Sequence, residues 1–300
     1  MMLSIKNVFI SIIKKHKYLS IFVLYLIPDW HITIKIPYIG KFRIRLRRNR
    51  SFWLRDPLQL EMYPLSVLKA IVRPGDVVWD VGANIGLYSR WLVNHLLVSK
   101  VIAFEPMTEN LPELIYNLNL GNIGNNVFVF PWAISDIDGP IEFQVDNIQS
   151  ASGAIDSICQ GNPSRARSAL GLKSITEKVS SRTIDSIINS GEVEIPDVLK
   201  IDIEGAEYLL LKGGESFFTK YSPFILIETH GLEVSKQCIS FLFDHGYNVA
   251  ACVPESKNPT RHQQIFIDYI LTMNDQYDAH FLVASKNIKN LPITLDIKDI

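Results

Sequence analysis

The run Val-Val-Trp-Asp-Val-Gly-Ala-Asn-Ile-Gly at residues 77–86 constrains this chain more than any other feature. Its first five residues read as a short apolar strand, and a helical pattern of apolar residues starts at Leu87. Glycine turns tightly and lets another group approach without a Cβ in the way. Gly82 and Gly86 therefore predict a strand, a sharp loop and a helix in direct succession.

The rest of the chain extends that unit. A strand fits 101–104, ending at Glu105. A helix opens near Asn110, where Glu113 stands three residues on in the spacing of a capping box, and a strand follows at 127–130. After Ser135 the alternation breaks. Asp138-Gly-Pro turns the chain into 141–145, and a polar stretch rich in Ser, Gly and Asn runs to about 181, the expected substrate-side region. Helix and strand patterns then resume: helix 183–189, strand 198–203, helix 206–211, strand 224–228, helix 234–245 and strand 248–253. Strands separated by helices imply a mostly parallel, doubly wound sheet covered on both faces.

In such sheets ligands lie beyond the carboxyl ends of the strands. The loop after the first sheet strand holds Asp80, Gly82, Asn84 and Gly86, and the following helix aims its free amides into the same space. After the second strand, Glu105 is placed to accept hydrogen bonds from ribose hydroxyls. A dinucleotide loop needs G-x-G-x-x-G to cradle a pyrophosphate, whereas here Asn84 stands at the second glycine. The spacing thus favours S-adenosylmethionine, with Asp80 facing its positive groups and the loop amides its carboxylate. A nucleotide-dependent oxidoreductase of NAD type is the alternative, without a Tyr-x-x-x-Lys after the fourth strand to support it.

Several ordered motifs together resemble the FkbM family of methyltransferases, within the class I S-adenosylmethionine-dependent fold. They are Asp-Val-Gly-Ala-Asn-Ile-Gly at 80–86, Val-Ile-Ala-Phe-Glu-Pro at 101–106, Trp-Ala-Ile-Ser-Asp at 132–136, Ser152-Gly153, Arg-Thr-Ile-Asp at 182–185, Leu-Lys-Ile-Asp-Ile-Glu-Gly-Ala-Glu at 199–207, and Ile227-Glu228. The resemblance covers about 75–228. It implies a Rossmann-like sheet of seven strands, the last antiparallel, with the cofactor around Gly82 to Gly86 and Glu105 and the adenine near Ala133 to Asp136. It also implies O-methylation of sugars or other small hydroxylated acceptors. A methyltransferase-like binding subunit without chemistry is a further alternative.

Methyl transfer is an in-line displacement, so alignment of the partners supplies much of the acceleration, and a hydroxyl acceptor also loses a proton. Lys200, Asp202 and Glu204 fall on alternate positions of a predicted strand and so on one face. Either Lys200 pairs with a carboxylate to avoid an isolated buried charge, or Asp202 is left to meet the acceptor or the cofactor's amino group. His230, two residues beyond Glu228, is a candidate base because an unperturbed imidazole titrates near neutrality. Asp202, Glu204 and Glu228 also form an oxygen-rich set suited to Mg²⁺. Ser152 and Gly153 are expected at the acceptor pocket.

The N-terminal segment differs in character. Residues 1–50 hold eleven Lys and Arg against one acid, Asp29. The apolar stretch 19–27 is too short to cross a hydrocarbon core, which needs roughly 20 residues as a helix. Residues 31–47 alternate as a β-hairpin with one wet, basic face, and a helix covers about 59–72. The chain therefore divides into a basic helix and hairpin extension, 1–58, and a main domain, 59–300. The extension is expected to dock on the domain, the alternative being weak contact with an anionic membrane surface. Nucleic acid is not an expected partner, and oligomeric state is open. Three separated cysteines, Cys159, Cys238 and Cys252, fit a reducing, cytoplasmic setting.

Overall fold

The computed structural model describes residues 27–146, 152–155, 173–255, 258–265 and 280–287. The apolar stretch 19–26, Cys159 and most of the polar stretch 147–172 lie outside them. Strands β1 (His31–Ile36) and β2 (Gly40–Arg45) form the hairpin, followed by helices α1 (Ser51–Leu54), α2 (Pro57–Leu60) and α3 (Met62–Ile71). The helix expected at 59–72 is therefore broken, with Glu61 at the joint. Next come β3 (Val77–Val81), α4 (Leu87–Leu96), β4 (Lys100–Phe104), α5 (Leu111–Leu120), β5 (Val127–Phe130), β6 (Trp132–Ile134), β7 (Gly139–Asp146), β8 (Ser152–Ile155) and β9 (Thr176–Arg182). The rest is α6 (Ile184–Ser190), β10 (Val198–Ile201), α7 (Glu207–Lys212), α8 (Glu215–Lys220), β11 (Phe224–Thr229), α9 (Leu232–Asp244), β12 (Asn248–Glu255), β13 (Asn258–Ile265) and β14 (His280–Ser285).

The main sheet runs β13-β12-β14-β11-β10-β3-β4-β5. From β11 to β5 every pairing is parallel, and β14 enters antiparallel between β11 and β12. The expected seven-stranded, mostly parallel sheet is present, with β13 added to its edge as an antiparallel partner of β12. Alternate residues of the apolar strands supply opposite cores, as the two-residue strand period requires. Val78, Val101, Ala103, Val198 and Leu226 pack under the hairpin, α3, α4 and α5, whereas Trp79, Ile102, Phe104, Leu199 and Ile225 pack under α6 to α9. Successive strands leave β3 toward β5 on one side and, after the chain crosses back, toward β11 on the other. The switch point lies between β3 and β10.

The described residues of the expected substrate-side insertion, with β6 before it, form a second sheet, ordered β6-β9-β7-β8. It closes a small core of Met107, Ala133, Ile141, Phe143, Val145 and Ile155 beside the carboxyl ends of the main strands. Among the described residues no helix is long and apolar enough to cross a membrane.

The described hairpin of the extension packs on α4 and α5. Ile36, Phe42 and Ile44 are buried in the same apolar cluster as Trp91, Leu114 and Leu118. The hairpin's basic face is not simply wet: buried Glu113 meets His31 at 2.6 Å, Arg43 at 2.8 Å and Arg45 at 3.5 Å. Glu113 thus serves the hairpin rather than a capping box, and Asn110 forms no side-chain cap. Asn117 accepts from the Arg43 amide at 2.7 Å and donates to the carbonyls of Arg43 and Ile85, both at 2.9 Å. One asparagine therefore ties the hairpin to the loop after β3. Replacing Glu113 by Ala should lower unfolding free energy by about 1–3 kcal/mol, since the partly exposed cations it leaves are rehydrated only in part. Urea denaturation measures this, and faster tryptic cleavage after Arg43 and Arg45 should accompany it.

Candidate functional site

The site is built where β3 and β10 end. Gly82 has φ +81°, and a Cβ there would lie 1.9 Å from the Asp202 carbonyl oxygen. No side chain fits. The amides of Gly82 and Ala83 both donate to the Phe104 carbonyl at 3.0 Å, and the Asp202 amide donates to the Val81 carbonyl at 3.1 Å. Asn84 follows at φ 51°, a left-handed conformation that asparagine tolerates better than most side chains. Gly86 has φ +92° and opens α4; a Cβ on it would meet Leu114 Cδ1 at 2.8 Å.

Glu105, at the end of β4, is buried against this loop. One carboxylate oxygen accepts from the Asn84 amide at 2.7 Å, the other from the Met107 amide at 2.9 Å and Asn110 Nδ2 at 3.3 Å. Burial pushes its pKa up to about 7, against the two amides, which lower it, and with a smaller upward push from Asp80. Beside it opens a cleft of ≈ 170 Å³. Gly82, Asn84, Glu105 and Ala133 line it, with an apolar wall of Met107, Trp132, Ile134, Phe143 and Ile155. Trp132 packs on Phe130 in a tilted pair, 4.6 Å between ring centres, and the Arg182 guanidinium covers it at 4.9 Å.

Asp80 is fully buried and does not line the cleft. Its carboxylate accepts from Ser89 Oγ at 2.7 Å and pairs with Lys200 Nζ at 3.3 Å. Lys200 also lies 3.7 Å from Asp202 and donates to the Gly82 carbonyl at 3.4 Å. Burial works against its charge, but the carboxylates of Asp80, Asp202 and Glu228 outweigh it and raise its pKa. The pairing expected of Lys200 is present, and it does not remove Asp202 from the cleft. Lys200 is paired, and Asp202, 31% exposed, still lines the cleft. The strand ends at Ile201, earlier than expected, and Glu204 sits in a left-handed turn at φ 54° rather than continuing the face.

His230 reaches the same corner, with Nε2 3.8 Å from both Asp202 and Glu204 and Nδ1 2.9 Å from buried Glu207. Burial disfavours its charge, but the Glu207 hydrogen bond and the Glu207, Glu204 and Asp202 carboxylates raise its pKa to about 10. An imidazolium at neutral pH accepts no proton, which corrects the expectation of a near-neutral base. Asp136 lies off the cleft lining, where it accepts from Lys212 Nζ at 3.1 Å. Ser152 and Gly153 belong to β8, paired with Asp146 and Val145, and the cleft is reached by Ile155 of that strand. Among the described residues no group of three or more His, Cys, Asp or Glu side chains is arranged to hold a metal.

Sequence reading missed Phe52, Glu61 and Tyr88, which also line the cleft. Tyr88 stands in the first turn of α4 and was within reach of a helix-start argument; Phe52 and Glu61 come from short helices that carry no motif.

The strand order, the glycine turn at the switch point and the acid closing the next strand define a Rossmann-like methyltransferase fold. The chain belongs to the FkbM methyltransferase family: the model described as "Methyltransferase FkbM domain" matches residues 80–249. It is 28% identical over 188 residues to the hexuronic acid methyltransferase AglP of Haloferax volcanii, covering 63% of this chain and 70% of that one. It is 29% identical over 184 residues to the AMB antimetabolite synthetase AmbE of Pseudomonas aeruginosa, of which it spans 9%. Among solved structures, the methyltransferase FkbM from Methylobacillus flagellatus KT is 17% identical, with 70% of this chain and 43% of that one covered and a TM-score of 0.42. The precorrin-6Y C5,15-methyltransferase from Geobacter metallireducens GS-15 is 14% identical, with 77% and 88% covered and a TM-score of 0.41.

Because the folded pKa of His230 is raised from 6.5 to about 10, its contribution to stability is complete below 6.5 and disappears as pH rises through about 10. The protein should therefore lose stability from neutrality toward pH 10 more steeply than His230→Gln. Thermal melts across that range test the slope, and NMR of the His230 ring should show an imidazolium at pH 7.

Proposed function

We propose that this protein is an S-adenosylmethionine-dependent O-methyltransferase acting on a sugar or another small hydroxylated molecule. The observation that carries the cofactor reading is the cradle at Gly82, where the loop passes so close to Asp202 that no Cβ fits, with buried Glu105 beside it. These residues suit the cofactor. Glu105 would hold the ribose hydroxyls and the apolar wall around Trp132, Ile134 and Ala133 the adenine, with the first turn of α4 facing the carboxylate. Bound there, S-adenosylmethionine supplies a methyl group activated by its sulfonium. A saccharide acceptor is supported by the similarity to AglP.

Asp202 faces the cleft from the end of β10 and is the group we assign to the acceptor, orienting its hydroxyl and receiving its proton. His230, held on Glu207, and Lys200, held on Asp80, flank it with two positive charges that fix its direction. Glu204 and the β8 end bearing Ser152 and Gly153 complete the acceptor side in this reading. Residues 1–58 act as an extension to a main domain at 59–300, and among its described residues Phe52 reaches the site.

Calorimetry with S-adenosylmethionine and NAD tests the cofactor. Only the first should bind, and Glu105→Ala should weaken it by about 1–3 kcal/mol, the range for a lost hydrogen-bonding partner. Tight NAD binding with no S-adenosylmethionine signal would sink the proposal. For the acceptor, transfer of labelled methyl to hexuronic acids, neutral sugars and other polyols should single out a saccharide. Asp202→Asn should then cut turnover by about 100-fold or more while leaving cofactor affinity within a small factor. Full activity in a stable Asp202→Asn protein removes the residue from catalysis; activity abolished by chelator and restored by Mg²⁺ reassigns the carboxylates to a metal.

A further inference from the structure

The buried position of Asp80 leaves a question about the cofactor's amino-acid end. Asp80 is spent on Ser89 and Lys200 behind the loop. Of the four carboxylates that line the cleft, Glu105 holds backbone amides, Asp202 faces Lys200 and His230, and Glu204 faces His230. Glu61 is different. It accepts a hydrogen bond from the neutral Tyr88 hydroxyl at 2.6 Å.

Tyr88 belongs to the first turn of α4, whose free backbone amides favour a carboxylate. In an α-amino acid the ammonium and the carboxylate share one carbon, so a carboxylate docked at this turn carries its ammonium to the side chains gathered there. We propose that Glu61 binds the α-ammonium of S-adenosylmethionine, with Tyr88 as the positioning residue that aims it. Glu61 lies outside the family match at 80–249, so in this assignment the N-terminal helices contribute to the cofactor subsite. The assignment rests on the cofactor reading above.

The charges around Glu61 agree with a missing cation. Glu61 and Glu228 are both raised above the ordinary carboxylate range, by burial first and then, beyond the Tyr88 bond that lowers Glu61, by the negative charge of Asp202. At Glu61 the opposing cation is Lys200, already shared with Asp80, whereas Glu228 is opposed by His230 first and by Lys200 after it. A ligand ammonium beside Glu61 relieves this surplus.

Three ligands separate the assignment from its rivals by calorimetry on the full chain: S-adenosylmethionine, S-adenosylhomocysteine, which keeps the ammonium but lacks the sulfonium, and methylthioadenosine, which lacks the amino-acid end. Glu61→Gln should weaken the first two alike, by roughly 10- to 100-fold, as expected for one charge-assisted hydrogen bond, and leave methylthioadenosine within about twofold. Glu61→Asp should recover part of the loss, and Tyr88→Phe should show a smaller loss with the same ligand pattern. Unchanged binding of S-adenosylmethionine overturns the proposal, as does equal weakening of all three ligands, which marks a structural role, or weakening of S-adenosylmethionine alone, which marks a sulfonium contact. If Glu61→Gln does not fold, Tyr88→Phe carries the same comparison. Wild-type protein that binds none of the three overturns the cofactor reading itself.

Discussion

The backbone contact between Gly82 and Asp202 is the constraint from which the rest of the site follows. Adjacent parallel strands lie close enough for ladder hydrogen bonds, and β3 and β10 keep that spacing to their last residues before their loops part. Because the carbonyl of Asp202 occupies the space where a side chain on Gly82 would point, only glycine lets the loop after β3 run this close to the end of β10. The cleft opens above that turn. A bulkier residue would push the two loops apart and carry Asn84 and the start of α4 away from Glu105.

Around this turn the polar groups are arranged in two tiers. Behind the loop, buried Asp80 is ion-paired with Lys200 and accepts from Ser89, so each of the two charges has a partner. In front of it, Asp202, Glu204 and Glu61 look into the cleft. Lys200 belongs to both tiers. It neutralises Asp80, reaches Asp202 and donates to the Gly82 carbonyl, so the strand ends and the site are held by one ammonium. Glu207 does the equivalent for His230 on the neighbouring strand.

The hairpin shows how a segment outside the family core becomes part of the site's support. Its basic residues converge on Glu113, and Asn117 carries the connection on to Ile85 in the loop after β3. The short helices after it then present Phe52 and Glu61 to the cleft.

The doubly wound sheet, the glycine turn and Glu105 were legible in the sequence because each depends on local pattern: apolar strands alternating with helices, glycines at the strand–helix junction, an acid at a strand end. The hairpin was legible for the same reason. Local pattern did not extend to partner choice. Glu113 has the spacing of a capping residue, but the hairpin's cations offered it stronger partners; Asp80 stood in a cofactor-facing motif, but the strand turned it inward to Lys200. His230 looked like a near-neutral base until Glu207, twenty-three residues away in sequence, came within 2.9 Å and, with Glu204 and Asp202, raised its pKa to about 10. Charges act through space, so their pKa values and pairings were decided only when the tertiary structure brought distant carboxylates and cations together.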